Sequence, residues 1–211
     1  SVQLEKGIAD LSTRVSRDDT EPDYKIAEEL GRKICEPVST WRRMVKSRID
    51  GLNEMIVGFG PGDYVVVGAH TSTGKTTFAY DFARYNADKG INSLYFALDQ
   101  TKDAMLLRTL IAETGLSKET LLHPNTGISQ EDAVEVSLAI DRIRRTPGKI
   151  FINDHGSMSI DQICRLGRQY RERHNIGMVI VDYLGQVRTN GRFESRNLEV
   201  TQVSSKLKTL A

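Results

Sequence analysis

The fold of this chain is decided by one stretch, residues 64–77, which read Tyr-Val-Val-Val-Gly-Ala-His-Thr-Ser-Thr-Gly-Lys-Thr-Thr. An apolar run of strand length leads into a short loop ending in Gly74-Lys75-Thr76, and we predict a helix that begins near Thr77. In this order the backbone N–H groups of the loop and the positive end of the helix dipole converge on one point, as in a phosphate-binding P-loop. We expect Lys75 to reach the β- and γ-phosphates of a nucleotide, and the Thr76 hydroxyl to bind Mg²⁺.

The strict P-loop pattern has a glycine at the position of Ala69. Alanine is tolerated there if the residue ends the strand with ordinary backbone angles, since only a glycine-specific angle would exclude a side chain. The alternative is a chance Gly-Lys-Thr in an ordinary turn between a strand and a helix. We expect the phosphates to be surrounded by the loop and the first helical residues, namely Ala69, His70, Thr71, Ser72, Thr73, Gly74, Lys75, Thr76 and Thr77.

The overall composition restricts the class of protein. The 29 basic and 28 acidic side chains give a formal net charge of +1. This overall charge does not indicate nucleic-acid binding, which would need a local cluster of basic residues. Cys35 and Cys164 are far apart and belong to no C-x-x-C motif, which indicates a reduced protein without a structural zinc. No stretch approaches the roughly 18 consecutive apolar residues of a membrane span. We therefore expect a cytoplasmic protein with no membrane partner.

The pattern along the chain divides it into two regions. Residues 1–46 are predicted to be an N-terminal arm, in which residues 23–35 have the spacing of an amphipathic helix. This helix could dock on a neighbouring subunit or pack on its own domain. In residues 47–211 apolar runs alternate with helical stretches, which predicts an α/β fold with a mostly parallel sheet. The predicted strands are 63–68, 93–98, 150–153 and 178–182, and the predicted helices are 77–88, from Thr101 to near Gly115, 130–145, 160–174 and 195–210.

Two aspartates follow predicted strands, where ligands bind in parallel sheets. Asp182 ends the apolar run 178–182 in the Walker-B form, and we expect it to hold Mg²⁺ through water. Asp99 ends the run 93–98 and could activate the attacking water, or it could belong to the cap of the next helix. For Asp154, after the third strand, a structural role is favoured.

Several segments then occur in a characteristic order: Gly51–Asp63, the P-loop 69–76, Phe96–Asp99, Ile152–Asp154, Val181–Leu184 and Ser195–Lys208. Together they resemble the ATPase domain of DnaB-type replicative helicases, including bacteriophage relatives, over about residues 47–211. The resemblance implies a RecA-like P-loop NTPase core, ATP (or another NTP) with Mg²⁺ bound between the subunits of a hexameric ring, and movement along single-stranded DNA. It also implies a primase or a helicase loader as partner, and a linker helix that packs on the adjacent subunit.

The resemblance assigns roles to single residues. Lys75 and Thr76 match the family's phosphate and magnesium residues, and Asp182 matches its Walker-B aspartate. Asp99 stands where the family usually has a catalytic glutamate, so it is the expected catalytic base. Arg108 stands where relatives often have an arginine near the nucleotide.

The loop after Asp182 contains Arg188, Arg192 and Arg196, which we predict to contact DNA phosphates. The alternative is a solvated loop or a subunit contact. The resembled family continues with further strands after its last helix, whereas this chain ends at Ala211. We therefore expect a core that is incomplete at its C-terminus and hydrolyses little ATP by itself.

Two other functions stay open on the sequence. One is a different RecA-like ATPase, such as a recombinase or a clock-type ATPase. The other is a nucleotide-binding assembly module that scarcely hydrolyses ATP, which the aspartate at position 99 keeps in consideration.

Overall fold

The computed structural model describes residues 21–36, 44–122, 127–189 and 195–211. The chain divides into two compact units, residues 1–43 and residues 44–211. Much of the predicted N-terminal arm, residues 1–20 and 37–43, lies outside the described residues.

The smaller unit contains one described helix, α1 (Asp23–Cys35), which confirms the helix predicted over residues 23–35. The helix follows Pro22 and has a surface ion pair between Glu29 and Lys33. None of its residues is buried. Its large apolar side chains recur at helical spacing on one face, as predicted: Tyr24, Ile26, Leu30 and Ile34.

The larger unit is an α/β domain built on three parallel strands in the order β2-β1-β3, which confirms the predicted fold class. The described helices outnumber the strands, and two of them, the short helices Asp50–Ile56 and Lys118–Leu121, are not among the predicted ones. In chain order the elements are α2 (Asp50–Ile56), α3 (Lys75–Ala87), β1 (Asn92–Ala97), α4 (Lys102–Thr114), α5 (Lys118–Leu121), α6 (Gln130–Arg145), β2 (Ile150–Asn153), α7 (Ile160–His174), β3 (Ile176–Asp182), a 3₁₀ turn (Leu184–Gln186) and α8 (Arg196–Leu210).

Local capping explains why α4, α6 and α7 begin where they are predicted to begin. The side chains of Thr101, Ser129 and Ser159 each accept a hydrogen bond from the first turn of the helix that follows. Gln162 completes a capping box with Ser159. Gly115 ends α4 at a φ of +71°, an angle that favours glycine.

The core lies on both faces of β1, whose residues 93–97 are all buried. Because side chains alternate along a strand, Leu94 and Phe96 face one layer, whereas Tyr95 and Ala97 face the other. The first layer is formed by α7 and α8, and the second by α3 and α4. Burial on both faces is the pattern expected of a central parallel strand.

The prediction of a strand over residues 63–68 is wrong for this structure. These residues pair with no strand among those that the structure describes. Val65, Val66 and Val67 remain 46%, 60% and 53% exposed, while Tyr64 packs on the apolar core of the α7 side. The sequence has strand character, but a strand also needs a hydrogen-bonded neighbour, since backbone groups are otherwise left to solvent.

A buried asparagine fixes the start of the larger unit to the P-loop helix. Asn86 of α3 is completely buried and pairs with both backbone groups of Lys46: its Nδ2 donates to the carbonyl at 2.8 Å, and its Oδ1 accepts from the N–H at 3.2 Å. Nδ2 also donates to the Phe82 carbonyl at 2.8 Å. The side chain of Asn86 therefore takes the place of a backbone partner for Lys46, so residue 46, predicted to end the N-terminal arm, is held to the larger unit.

Replacing Asn86 by alanine is expected to lower the free energy of unfolding by about 2–4 kcal/mol, because it leaves buried backbone groups without partners and opens a cavity. Chemical denaturation measures this change. The matched control is Asn197→Ala, whose side chain is exposed on α8 and whose loss is expected to cost less than about 0.5 kcal/mol. An equal loss in both variants would contradict the role of Asn86.

For the described part of the chain, no helix has the length and apolar character that crossing a membrane requires.

Candidate active site

Two residues of the P-loop have positive φ and turn the chain toward the helix that follows. Ser72 has a φ of +63°, and Gly74, the N-cap of α3, has a φ of +96°. The helix begins at Lys75, two residues earlier than predicted, because the left-handed turn at Gly74 already directs the chain into the helix. The first N–H groups of α3 have no partner within the helix, so they are available to a ligand at this end.

The Lys75 side chain lies over this loop. Its Nζ donates hydrogen bonds to the carbonyls of Ala69 and His70, at 2.7 and 2.6 Å. The Thr73 hydroxyl also donates to the His70 carbonyl, at 2.7 Å. The loop is exposed, so an anion can approach the ammonium group from solvent. A positive charge and the helix N-terminus are thus together at one place.

The direction of α3 places this loop at the carboxyl end of the sheet. Residues 88–91 join α3 to β1 by a short turn, so the two elements run in opposite directions. The 13 residues of α3 span about 20 Å, and the six residues of β1 also span about 20 Å. The first turn of α3 therefore lies near the end of β1, where ligands bind in parallel sheets.

Asp182 ends β3 at the same edge. The register pairs it with Ala97, and the Leu98 N–H donates to the Asp182 carbonyl at 2.8 Å. Met178 and Ile180 face α3, and residue 182 has the same orientation because side chains alternate. The predicted Walker-B aspartate therefore shares both an edge and a face of the sheet with the P-loop helix.

Sequence reasoning missed the partner of this carboxylate. The hydroxyl of Tyr95, in the middle of β1, donates to Oδ2 of Asp182 at 2.8 Å. Burial, and then the charge of Asp182, raise the pKa of Tyr95 far above its usual value, whereas the charge of Arg108 opposes this rise. The guanidinium of Arg108 is thus near enough to act on the Tyr95 hydroxyl. A tyrosine hydroxyl within the otherwise apolar run 94–98 is the signal that could have indicated the contact.

Asp99 follows β1 and is exposed. It does not cap α4, since Thr101 accepts from the Ala104 N–H, and Asp154 accepts from the Lys102 N–H at 3.1 Å. That hydrogen bond, with the nearby lysine charge, lowers the pKa of Asp154. The structural role favoured for Asp154 thus has a visible basis, and Asp99 is left without a capping function.

The donor set fits magnesium. Thr76, in the first turn of α3, supplies a hydroxyl oxygen, and Asp182 supplies a carboxylate that is partly exposed. Both are hard oxygen ligands, which Mg²⁺ prefers together with water and phosphate oxygens.

The predicted DNA contacts differ in their surroundings. Arg188 is exposed, and its backbone pairs with the start of α7: its N–H donates to the Met158 carbonyl at 2.9 Å. Arg196 donates to the carboxylate of Glu199, and to the Gly185 carbonyl at 2.7 Å. Arg192 lies outside the described residues. Arg196 is therefore already engaged within the protein.

The Arg196–Glu199 pair yields a prediction that NMR can check. The bonds from Arg196 and then Thr189 lower the pKa of Glu199 below its usual value of 4.5. A lowered pKa favours the folded state above that pH, and this contribution is lost as the pH falls through the lowered value. Arg196→Ala should raise the pKa of Glu199, measured by a carboxyl NMR titration.

Arg188→Ala is the control for this titration, and it should leave the Glu199 pKa unchanged. An unchanged pKa in Arg196→Ala would show that the pair does not persist in solution.

Comparison with known proteins finds relatives of this chain among replicative DNA helicases. The replicative DNA helicase DnaB of Leifsonia xyli subsp. xyli is 33% identical over 162 residues, which are 76% of this chain and 34% of that protein. The replicative DNA helicase DnaB of Geobacillus stearothermophilus is 31% identical over 163 residues, which are 76% of this chain and 35% of that protein. The chain thus spans about a third of the length of these curated relatives.

Two solved structures share the fold. One, described as an ATPase domain, has a TM-score of 0.77 at 22% identity, and the match covers 91% of this chain and 67% of that one. The other, a DnaB-like replicative helicase described with its interactions with primase, has a TM-score of 0.73 at 22% identity, and the match covers 98% of this chain and 50% of that one. The predicted RecA-like fold is confirmed. The profile of the family described as "DnaB-like helicase C terminal domain" matches residues 44–211, the larger unit of the structure, and the chain belongs to this family.

Proposed function

We propose that this chain is the ATPase motor domain of a replicative helicase, which hydrolyses ATP to move along single-stranded DNA and unwind the duplex. The observation that supports the proposal best is the shared edge: Lys75, at the start of α3, and Asp182, at the end of β3, lie at the carboxyl end of one parallel sheet. In a chain of this family, that pair can hold the two ends of a magnesium nucleotide. A role in replication would place the protein in the cytoplasm of a bacterial or phage-infected cell.

Nucleotide binding would replace the hydrogen-bond acceptors of the Lys75 ammonium group. Its ammonium group now donates to two loop carbonyls, and the oxygens of the β- and γ-phosphates would take their place. The loop from Ala69 to Thr77 would surround the phosphates with N–H groups, and Thr76 and Asp182 would hold Mg²⁺. Bound there, the ion neutralises charge that develops on the transferred phosphoryl group.

Hydrolysis also requires a base that orients the attacking water, and we assign this role to Asp99. The carboxylate is exposed at the end of β1, and the neighbouring helix is capped by other side chains. Arg108 acts electrostatically on Tyr95, beside Asp182, which supports its expected place near the nucleotide. An aspartate is one methylene shorter than a glutamate, so either the backbone would lie closer to the attacking water or an extra water would intervene.

DNA would pass the loop that follows β3. Arg188 presents an exposed guanidinium for phosphates, and Arg192 belongs to the same loop. Arg196 would contact DNA only after exchanging Glu199 and Gly185 for phosphate oxygens. For the whole protein we propose a hexameric ring in which α1 packs on the adjacent subunit, with a primase or a helicase loader as partner.

Replacing Lys75 by alanine is expected to lower ATP hydrolysis by at least roughly 100-fold, because it removes the charge directed at the transferred phosphate. The measurement is phosphate release by the longest natural version of this protein, with and without single-stranded DNA. Lys89→Ala, two residues beyond the far end of α3, is the matched control and should keep its activity.

Several outcomes of that assay would count against the motor. DNA-stimulated hydrolysis that persists in Lys75→Ala would contradict the site. Hydrolysis indifferent to DNA would favour another RecA-like ATPase, and tight ATP binding without turnover would favour an assembly module.

Asp99→Asn tests the base. The amide keeps the size of the side chain but cannot accept a proton, so we expect the turnover number to fall by roughly 100-fold or more while nucleotide affinity stays the same. Asp88→Asn, at the far end of α3, serves as the control. Full turnover in Asp99→Asn would assign the base to another residue.

A further inference from the structure

The interior of the sheet contains a polar contact that has no part in the reaction proposed above. Tyr95 is completely buried in β1, yet its hydroxyl reaches the end of the neighbouring strand and donates to Oδ2 of Asp182 at 2.8 Å. The register makes this possible: Tyr95 is level with Ile180, and Asp182 is the next residue of β3 on the same face. The phenol side chain is long enough to reach from the level of Ile180 to Asp182.

Packing leaves the tyrosine ring little freedom. Its edge meets the ring of Tyr80, from the P-loop helix α3, at 5.8 Å between centroids and an angle of 74°. Ala83 of α3 and Met105 of α4 belong to the same buried cluster. Side chains in such close-packed interiors sit in rotamer minima and interdigitate with their neighbours. The position of the hydroxyl oxygen is therefore set by the core and not by Asp182.

The contact has a defined direction of donation. An ionised carboxylate can only accept hydrogen bonds, so the proton belongs to the phenol. Such a charge-assisted bond is stronger than one between neutral groups.

We propose that Tyr95 is a positioning residue for the magnesium-binding carboxylate: its rigid hydroxyl holds Oδ2 of Asp182 and turns Oδ1 toward the P-loop. The proposal rests on the proposed function, since it assigns Asp182 to Mg²⁺. Carboxylates that bind metals are commonly oriented by a second hydrogen-bonded group, and the loss of that group typically weakens metal affinity or activity about 10- to 100-fold. Because the ring also contacts Tyr80, one side chain connects the P-loop helix with the metal-binding carboxylate.

The test is Tyr95→Phe in the longest natural version of the protein, which removes one oxygen and keeps the ring. Mn²⁺ replaces Mg²⁺ as the probe, and electron paramagnetic resonance measures its dissociation constant in the presence of ADP. We expect this constant to rise about tenfold, while the affinity for ADP without metal stays unchanged. A change in both affinities would indicate general damage to the site and would overturn the positioning role.

Two controls separate the hydroxyl from the ring and from Asp182. Tyr170→Phe removes a hydroxyl from α7, on the other side of the sheet, and should leave Mn²⁺ affinity unchanged. In an Asp182→Asn background, Tyr95→Phe should have no further effect on Mn²⁺, because the two residues act as one unit. Independent, additive losses would overturn the proposal.

The wild-type protein and Lys75→Ala separate a failure of the proposed function from a failure of the role of Tyr95. If the wild type binds no nucleotide, or if Lys75→Ala binds it equally well, the proposed function fails. If nucleotide binding depends on Lys75 but Tyr95→Phe leaves Mn²⁺ affinity unchanged, only the role of Tyr95 fails.

A measurement on the wild type covers the case in which Tyr95→Phe does not fold. With tyrosine labelled at Cζ, the resonance of Tyr95 can be assigned by NMR. Adding Mg²⁺ to the ADP complex should shift this resonance, and an unmoved resonance would overturn the proposal.

Discussion

β1 lies between β2 and β3 and is hydrogen-bonded to both, and its register decides which side chains meet at the carboxyl end of the sheet. Ala97 is level with Asp182 on one side, and Phe96 is level with Asn153 on the other. Because side chains alternate along a strand, a shift of β3 by one residue would turn Asp182 to the opposite face. The candidate site therefore depends on apolar contacts that are far from any phosphate.

Those contacts also set the place of the P-loop. α3 packs on β1 through Ala83, which is completely buried, so the helix approaches the sheet closely. Its first turn then lies at the same edge as Asp182, and the core that packs the helix also fixes the distance between lysine and carboxylate. Tyr95 belongs to this core and also donates a hydrogen bond to Asp182, so it connects the packing of the core directly to the candidate site.

The polar residues at this edge divide into two groups. Asp154 and Arg196 are satisfied within the protein: the first caps α4, and the second joins the turn after β3 to α8 through Gly185 and Glu199. Asp99 and Arg188 are exposed and are not used in that way by the described residues. An unpaired charge at the surface costs little free energy of folding, so Asp99 and Arg188 are available to bind a ligand. Asp154 and Arg196 instead fix the local conformation at this edge.

Local chemistry determined much of this protein from its sequence alone. Hydroxyl caps such as Ser129 and Ser159 begin helices through bonds to the next few residues, and the loop before Lys75 needs only its own backbone, so both were predictable. The run at 63–68 has the composition of a strand, yet only a neighbouring strand can make it one, and the described structure provides none. Tyr95 and Asp182 are 87 residues apart, so their bond arises only when the register of two strands brings them together.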